Sequence, residues 1–206
     1  METDKQYLKM KREMFDSTEE WHFYHWTLEA GEIGIITAAN YHPWKTQLGD
    51  SVNMKVPRPT KRKPKGTRKI HLLRAIQYEP DWVIGIDPGR NNFIDYNIIP
   101  VKKTVSGHKP YEINQNGGVL VIDVKGGFTK FQSQKFPVIQ KWMFEKYGVY
   151  VNKIEPKKFF KKFWVPKKAS LTPKTNKRAE QYKNCLLVGE WKKEHNYEQT
   201  DIINKK

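Results

Sequence analysis

The spacing of apolar residues along the chain predicts two helices. The first covers residues 15–30 and stops at Gly31, and Ser17 followed by Glu20 forms the capping-box pattern that marks a helix start. The second runs from about residue 132 to 147 and ends at Gly148, with Pro137 near its start or kinking it. The positions at helical spacing are Trp21, Tyr24, His25 and Leu28 in the first helix, and Val138, Ile139, Trp142, Met143 and Tyr147 in the second.

Alternating and continuous apolar runs predict strands around these helices. Residues 33–38, 44–56, 70–86 and 149–154 are strand-like, and the turn-like residues 40–43 separate the first two. The apolar run at 118–122 is typical of a central strand. The order of helix, strands, helix and strand predicts an α/β or α+β fold, in which helices flank a central mixed sheet.

The net charge of the chain predicts the kind of partner that it binds. The 206 residues include 38 Lys and Arg against 22 Asp and Glu, a net charge of +16, which predicts a polyanion such as nucleic acid as the partner. Residues 55–74 and 125–206 carry the positive excess, while residues 1–54 and 75–124 are net acidic. This distribution suggests basic segments that bind phosphates beside carboxylates that hold metal ions.

Composition also excludes several classes of protein. The mean hydropathy is −0.81 and no apolar run approaches the roughly 20 residues that cross a bilayer, so no membrane partner is expected. The start of the chain does not have the pattern of a signal peptide. The single cysteine, Cys185, excludes an internal disulfide and a cysteine-based zinc site, which indicates a reducing, cytoplasmic compartment.

Two lysine-rich segments are the predicted nucleic-acid contacts. Residues 55–69 have the Pro, Gly and Lys content of a flexible basic loop, which either binds phosphates or is merely solvated. After Lys157, lysines alternate with Phe and Trp, a pattern that fits base stacking and equally an amphipathic helix covering the sheet. The predicted contacts are Arg58, Lys61, Arg62, Lys63, Lys65, Arg68, Lys69, Lys130, Lys135, Lys157, Lys158, Lys161 and Lys162.

The candidate chemistry lies in an Asp-x-Lys pattern. Asp123 and Lys125 follow an apolar strand, and the two-residue period of a strand places both side chains on one face. Together with Asp81, they suit metal-assisted phosphodiester hydrolysis, in which carboxylates hold Mg²⁺, or Mn²⁺ as a substitute, and the lysine orients water. A surface strand of alternating charge gives the same pattern, but this strand is too apolar for a surface, and the glycines at 126 and 127 leave space for a close approach.

Three blocks of sequence carry a resemblance to a known superfamily. They are Phe15-Asp16-Ser17 with Glu20, Tyr24 and Ala30-Gly31-Glu32-Ile33, then Arg74-Ala75-Ile76 with Tyr78 and Asp81-Trp82, then Val121-Ile122-Asp123-Val124-Lys125-Gly126-Gly127 with Thr129. Over residues 15–155 the chain resembles the phage nucleases of the PD-(D/E)xK superfamily, closest to endonuclease I-like proteins and Holliday junction resolvases. The resemblance implies a restriction-endonuclease-like core and a homodimer that cuts branched DNA such as four-way junctions, in the host cytoplasm if a phage encodes it.

The resemblance also implies a set of site residues. Glu20, Asp81, Asp123 and Lys125 would be catalytic, with metal held by Asp81, Asp123 and the Val124 carbonyl, and with Glu20 completing a second metal site. Two assignments stay open, because Glu20 also fits a helix cap and the 42 positions between the two aspartates exceed the usual spacing. Asp87 and Asp95 are the alternatives to Asp81.

Other interpretations lead to related or different functions. Residues 83–89 resemble the first strand of RuvC-type resolvases with an RNase H-like fold, which would make Asp87 catalytic. A less selective nuclease of the same fold and a non-catalytic DNA-binding accessory protein are further alternatives. The predicted organisation is a nuclease core at 1–156, with a basic loop at 55–69 and an insertion at 85–117, followed by a basic C-terminal extension at 157–206.

Overall fold

The computed structural model of the chain describes residues 10–58, 66–87, 118–126, 130–172, 175 and 177–197. The strands are β1 (Ile36–Tyr41), β2 (Thr46–Gly49), β3 (Val52–Pro57), β4 (Thr67–Leu73), β5 (Ile76–Tyr78), β6 (Trp82–Ile86), β7 (Val119–Val124) and β8 (Val151–Ile154). The helices are α1 (Thr18–Glu32), α2 (Lys130–Tyr147), α3 (Pro156–Phe159), α4 (Lys167–Ser170) and α5 (Val188–Glu194), with 3₁₀ turns at Arg12–Met14 and Glu180–Tyr182.

A mixed four-stranded sheet organises the fold. Its strand order is β1-β6-β7-β8, in which β6 runs antiparallel to both neighbours and β7 runs parallel to β8. All residues of β7 after Val119 are buried, as an apolar strand with neighbours on both sides requires. The predicted α+β fold with a mixed, helix-flanked sheet is therefore confirmed, and the predicted central strand occupies an internal position.

Helix α1 packs between the sheet and the C-terminal region. The Ser17 side chain accepts a hydrogen bond from the Glu20 backbone N–H and caps the helix, as predicted. The predicted stop at Gly31 is wrong: the helix continues to Glu32, and the left-handed backbone that favours glycine occurs at Gly34, where φ is +73°.

Helix α1 also buries more of its circumference than the single apolar face predicted from the sequence. Phe23 and Trp26 are fully buried, because the helix is covered on two sides. Phe23 contacts Trp82 of the sheet at 6.0 Å between ring centroids, and Trp26 contacts Phe159 of the C-terminal region at 4.7 Å. A helix between two layers buries residues around most of its circumference.

Helix α2 covers a smaller cluster on the sheet. It ends before Gly148, where φ is +66°, as the sequence predicts, and Pro137 lies inside it. Met143 is 1% exposed, but Val138 and Tyr147 of the predicted apolar face are 47% and 44% exposed. The apolar face of α2 is therefore only partly covered by the sheet.

The predicted strand at 44–56 divides into β2 and β3, which pair with different partners. β2 pairs with β5, and β3 pairs with β4 in a two-stranded unit that we call the basic ribbon. The described ends of the predicted basic loop, residues 55–58 and 66–69, belong mostly to this ribbon, while residues 59–65 lie outside the described residues. Of the predicted insertion, residues 85–86 complete β6, and residues 88–117 lie outside the described part of the chain.

Residues 157–197, which we call the C-terminal segment, share one apolar core with α1 and the sheet. The aromatic residues that follow Lys157 are all at most 4% exposed, and they are Phe159, Phe160, Phe163 and Trp164. The lysines between them are exposed. Of the two interpretations of this pattern, packing is therefore correct, although the aromatics cover α1 rather than forming one long helix on the sheet.

Within the described residues, none of the helices combines the length and apolar character that a bilayer-crossing segment needs.

Candidate active site

The candidate site forms where β6 begins and β7 ends. These strands are antiparallel, and Trp82 pairs with Ile122. Asp81 immediately precedes Trp82 and Asp123 immediately follows Ile122, so the register places the two aspartates beside each other. We call Asp81 and Asp123 the carboxylate pair.

Lys125 lies between the two carboxylates. Its Nζ atom is 3.2 Å from Asp123 Oδ2 and 3.4 Å from Asp81 Oδ2. The backbone N–H of Lys125 donates to the Ile154 carbonyl at 2.8 Å, which attaches this residue to the end of β8. The structure thus brings together three of the residues selected in the sequence, although 42 positions separate the aspartates.

Further hydrogen bonds orient each carboxylate. The backbone N–H of Val124 donates to Asp81 Oδ2 at 2.7 Å, and the Tyr78 hydroxyl donates to Asp123 Oδ1 at 3.1 Å. Burial and the adjacent Asp123 carboxylate raise the pKa of the Tyr78 hydroxyl, so it remains a donor at neutral pH. Both carboxylates are therefore held in defined orientations.

Burial of the carboxylate pair makes its negative charge costly. The side chains of Asp81 and Asp123 are 12% and 6% exposed. Burial, followed by the charge of Asp123, raises the pKa of Asp81 to about 7. Burial also raises the pKa of Asp123, although Lys125 and Tyr78 act in the opposite direction.

Lys125 compensates only part of this charge. Burial by itself lowers the pKa of Lys125, but the two carboxylates more than offset burial and raise it. The ammonium therefore stays charged. When both carboxylates are ionised, one of the two negative charges is left uncompensated, and a bound cation would stabilise it.

Glu20 and two neighbours form a second polar cluster beside the pair. Ligand atoms of Asp16, Glu20 and His42 all lie within 4.8 Å of one another. Glu20 is 6% exposed, and its Oε2 accepts from the Tyr41 hydroxyl at 2.7 Å. Its Oε1 accepts from the Ser17 hydroxyl at 2.8 Å. Glu20 thus serves the helix start and faces the cluster, and the two roles predicted for it are geometrically compatible.

His42 connects this cluster to the carboxylate pair. Its Nε2 atom lies 3.9 Å from Asp81 Oδ1, and its ring stacks on Tyr41 at 4.0 Å between centroids. Its backbone φ is +44°, a left-handed conformation that is unusual for a residue other than glycine. The backbone N–H of His42 donates to the Asp81 carbonyl at 3.0 Å, which fixes the imidazole near the pair.

The alternatives to Asp81 are placed differently. Asp87 follows β6, so the length of that strand, about 20 Å between positions 81 and 87, separates it from Asp81. Its backbone N–H donates to the Ile35 carbonyl at 3.0 Å, at the other end of the β1–β6 strand pair. Asp95 lies outside the described residues. Among the described candidates, the carboxylate adjacent to Asp123 is therefore that of Asp81.

Gly126 permits α1 to approach the end of β7. A Cβ atom at this position would lie 2.7 Å from the Glu19 carboxylate. The sequence predicted space here for a backbone, whereas the structure fills it with a side chain from the first turn of α1. The same contact brings the start of α1, with Glu20, toward the carboxylate pair.

Sequence reasoning assigned no role to Tyr78, Tyr41, His42 or Asp16. Tyr78 and Asp16 lie inside the quoted sequence blocks, which was the available signal. His42 belongs to residues predicted only as a turn. Because Tyr41 pairs with Trp82, the next residue, His42, lies beside Asp81. Asp16 and Glu20 are therefore neighbours at the start of α1, whereas strand register brings His42 to the second cluster.

The structure describes eight of the basic residues that were predicted to contact nucleic acid. Those that the structure describes are exposed, and they are Arg58, Arg68, Lys69, Lys135, Lys157, Lys158, Lys161 and Lys162. The side chains of Lys61, Arg62, Lys63, Lys65 and Lys130 lie outside the described residues. Next to the carboxylate pair, Lys153 of β8 is the cross-strand partner of Asp123, and its Nζ pairs with Glu155 at 2.7 Å.

Comparison with protein-family models, with curated proteins and with solved structures finds no match for this chain.

Proposed function

We propose that this protein is a Mg²⁺-dependent endonuclease of the PD-(D/E)xK type that cuts branched DNA, such as four-way junctions, as a homodimer. The observation that supports the proposal most strongly is the contact of Lys125 with both Asp81 and Asp123 where β6 begins and β7 ends. On this proposal, the mixed sheet and its helices form a restriction-endonuclease-like core.

The side chains at the site suit a hard divalent cation. Asp81, Asp123 and Glu20 offer carboxylate oxygens, the ligand type that Mg²⁺ prefers, and the Val124 carbonyl is expected to add a further oxygen. The carboxylate pair is buried and only partly compensated by Lys125. When bound there, Mg²⁺ would polarise the scissile phosphate and lower the pKa of a coordinated water.

The chain itself supplies orientation and charge. Val124 N–H and the Tyr78 hydroxyl fix the directions of the two carboxylates before substrate arrives. Lys125 would orient the attacking water and neutralise negative charge that develops on the phosphate. Asp16 and His42 extend the set of donors next to Glu20 and would serve a second metal ion.

The basic surfaces would hold the DNA backbone. Lys157, Lys158, Lys161 and Lys162 are exposed on a segment whose aromatic residues are buried, so their positions are fixed relative to the sheet. Phosphate contacts of this kind provide affinity that is independent of sequence.

The decisive test is cleavage of a labelled four-way junction by the purified full chain. With Mg²⁺ we expect cleavage, and Asp123→Asn should lower its rate at least about 100-fold, because it removes a metal-binding charge. Asp87→Asn is the matched control, since it makes the same change about 20 Å away. Thermal melting of both variants checks that each is folded.

Each other outcome identifies a different function. Junction binding without cleavage in Mg²⁺ or Mn²⁺ would support a DNA-binding accessory protein instead. Equal cleavage of junctions and plain duplex would indicate a less selective nuclease. Activity that survives Asp123→Asn or Lys125→Ala would refute the site, and activity that is lost with Asp87→Asn and retained with Asp81→Asn would support the RuvC-type alternative.

A further inference from the structure

A cavity of about 410 Å³ opens between the start of β2 and the end of α2. Its lining residues are Trp44, Lys45, Thr46, Met143, Tyr147 and Val149. Small-molecule sites have volumes of about 300–1,000 Å³ and combine apolar walls with a few polar groups. The cavity therefore has the size and composition of a small-molecule site.

Two aromatic side chains of the cavity remain accessible. Trp44 is 36% exposed and Tyr147 is 44% exposed, while Met143 is buried. In the described part of the chain, no aromatic ring stacks on Trp44. The Tyr147 hydroxyl donates to the Gln47 carbonyl at 2.8 Å, which fixes that ring against β2. The walls are therefore preformed, and the indole face is free for a ligand.

The cavity is directly linked to the candidate active site. Trp44 follows His42 by two residues, a chain length of at most about 7 Å, and His42 Nε2 is 3.9 Å from Asp81 Oδ1. Thr46 pairs with Tyr78, whose hydroxyl binds Asp123. A nucleotide next to a phosphate at the carboxylate pair would therefore have its base within reach of Trp44.

Two lysines near the cavity suggest the class of ligand. Lys45 lines the cavity, its side chain is 58% exposed and its Nζ pairs with Glu79 at 3.2 Å, and Lys146, next to Tyr147 in the chain, donates from Nζ to the Gln47 carbonyl at 2.8 Å. The chain as a whole has a net charge of +16. An aromatic surface with lysines beside it is the arrangement that binds unpaired nucleotides, by base stacking and by phosphate contact.

We propose that this cavity binds one unstacked nucleobase of the substrate, with Trp44 as the stacking surface. This inference depends on the proposed function, because it assigns the nucleic acid of that same site. A base in continuous duplex must first leave its stack at a cost in free energy, whereas a base in a single-stranded flap is already available. The cavity would thus favour branched DNA that carries unpaired bases over continuous duplex.

The test measures binding without divalent metal, so that it does not depend on cleavage. The probe is a flapped oligonucleotide with 2-aminopurine in the flap next to the branch, and the readouts are anisotropy and 2-aminopurine fluorescence in EDTA. Wild type should bind and quench the probe. Trp44→Ala should weaken flap binding about 5- to 150-fold, the range expected for one lost base stack, and restore the fluorescence.

Two further variants make the result specific. Phe144→Ala removes an aromatic side chain of α2 that is 39% exposed and does not line the cavity, and it should bind like wild type. Trp44→Phe keeps a stacking ring and should retain most of the affinity and quenching, which guards against a folding defect in Trp44→Ala. Plain duplex should bind almost equally to wild type and Trp44→Ala.

The experiments distinguish failure of the nucleobase-site proposal from failure of the nuclease proposal. Equal binding by Trp44→Ala and Phe144→Ala, or unchanged 2-aminopurine fluorescence on binding, would overturn the nucleobase site even if junctions are cut. Quenching by wild type that depends on Trp44, without cleavage in Mg²⁺, would support the nucleobase site and refute the nuclease. Absence of any DNA binding would overturn both.

Discussion

The basic ribbon and the C-terminal segment are both rich in lysine, yet they differ in what their apolar residues contact. In the C-terminal segment, Phe160 and Trp164 are fully buried against the core that contains α1. In the ribbon no residue is buried, and Met54 and Leu72 are 46% and 53% exposed. A pattern of lysines and apolar residues therefore gives a packed layer only where the fold offers an apolar surface opposite to it.

This difference determines how each region presents its charge. The lysines of the C-terminal segment project from a surface anchored by buried aromatics. In the ribbon, Lys55 lies directly opposite Lys69, a like-charge pair that destabilises the pairing of the two strands. A two-stranded unit without packing is only marginally stable in water. Screening of this charge pair, for example by a bound polyanion, would therefore stabilise the ribbon.

The largest expected contrast is in the free energy of unfolding. Trp164→Ala should lower it by about 3–5 kcal/mol, because it empties a fully buried site and removes the hydrogen bond from Nε1 to Glu29. Leu72→Ala, in the ribbon, should change it by at most about 0.5 kcal/mol. Urea unfolding followed by circular dichroism measures both. Similar losses in the two variants would mean that the ribbon is packed after all.

A second contrast concerns the dependence of stability on pH. His25 of α1 is 8% exposed and lies near Lys168 of the C-terminal segment. Burial, followed by the charges of Lys168 and His22, lowers the pKa of His25 to about 4. Its unfolded value is about 6.5, so the unfolded chain takes up the proton first. The stability contributed by neutral His25 is complete above about pH 6.5 and is lost as the pH falls toward 4.

Thermal melting between pH 7 and pH 4 checks this contribution. His25→Gln should reduce the loss of stability on acidification. His71→Gln, at an exposed histidine of the ribbon, is the control and should leave the pH dependence as it is in wild type. A variant at position 25 with the full wild-type slope would show that other groups cause the acid sensitivity.

The third contrast combines a small effect on stability with an effect on DNA binding, and it concerns the ribbon charges. Replacing both Lys55 and Lys69 by Gln should raise the stability by about 0.2–1 kcal/mol, because it removes the like-charge pair. The same variant should reduce the slope of log affinity for DNA against log salt by about 2, as expected for two lost phosphate contacts.

Replacing Lys161 and Lys162 in the C-terminal segment gives the matched comparison. That variant should reduce the salt slope by a similar amount without the gain in stability, since those lysines face no like charge across a strand pair. Titration at several salt concentrations, with melting of each variant, separates the two effects. Unchanged DNA affinity in the ribbon variant would exclude the ribbon from the interface.

Much of the local structure was predictable, because it depends on neighbours in the chain. The Ser17 cap, the central strand β7 and the end of α2 before Gly148 follow from short patterns. The stop predicted at Gly31 failed because glycine ends a helix only where the backbone must turn left-handed, and that position is Gly34.

The candidate site was predictable only in part. Asp123 and Lys125 are two residues apart, so one strand pattern selected both. The second aspartate stayed open among three positions, because the choice depends on how β6 pairs with β7. His42 was missed for the same reason, since only the pairing of β1 with β6 brings it to Asp81.

The sequence by itself determined the element types, the basic character of the protein and one half of the carboxylate pair, since each depends on composition or on adjacent residues. The tertiary structure decided which carboxylates lie side by side, which aromatic residues are buried and which lysines project from a packed segment. These outcomes depend on strand register and on the surface that lies opposite each side chain, and both are set by residues far away in the chain.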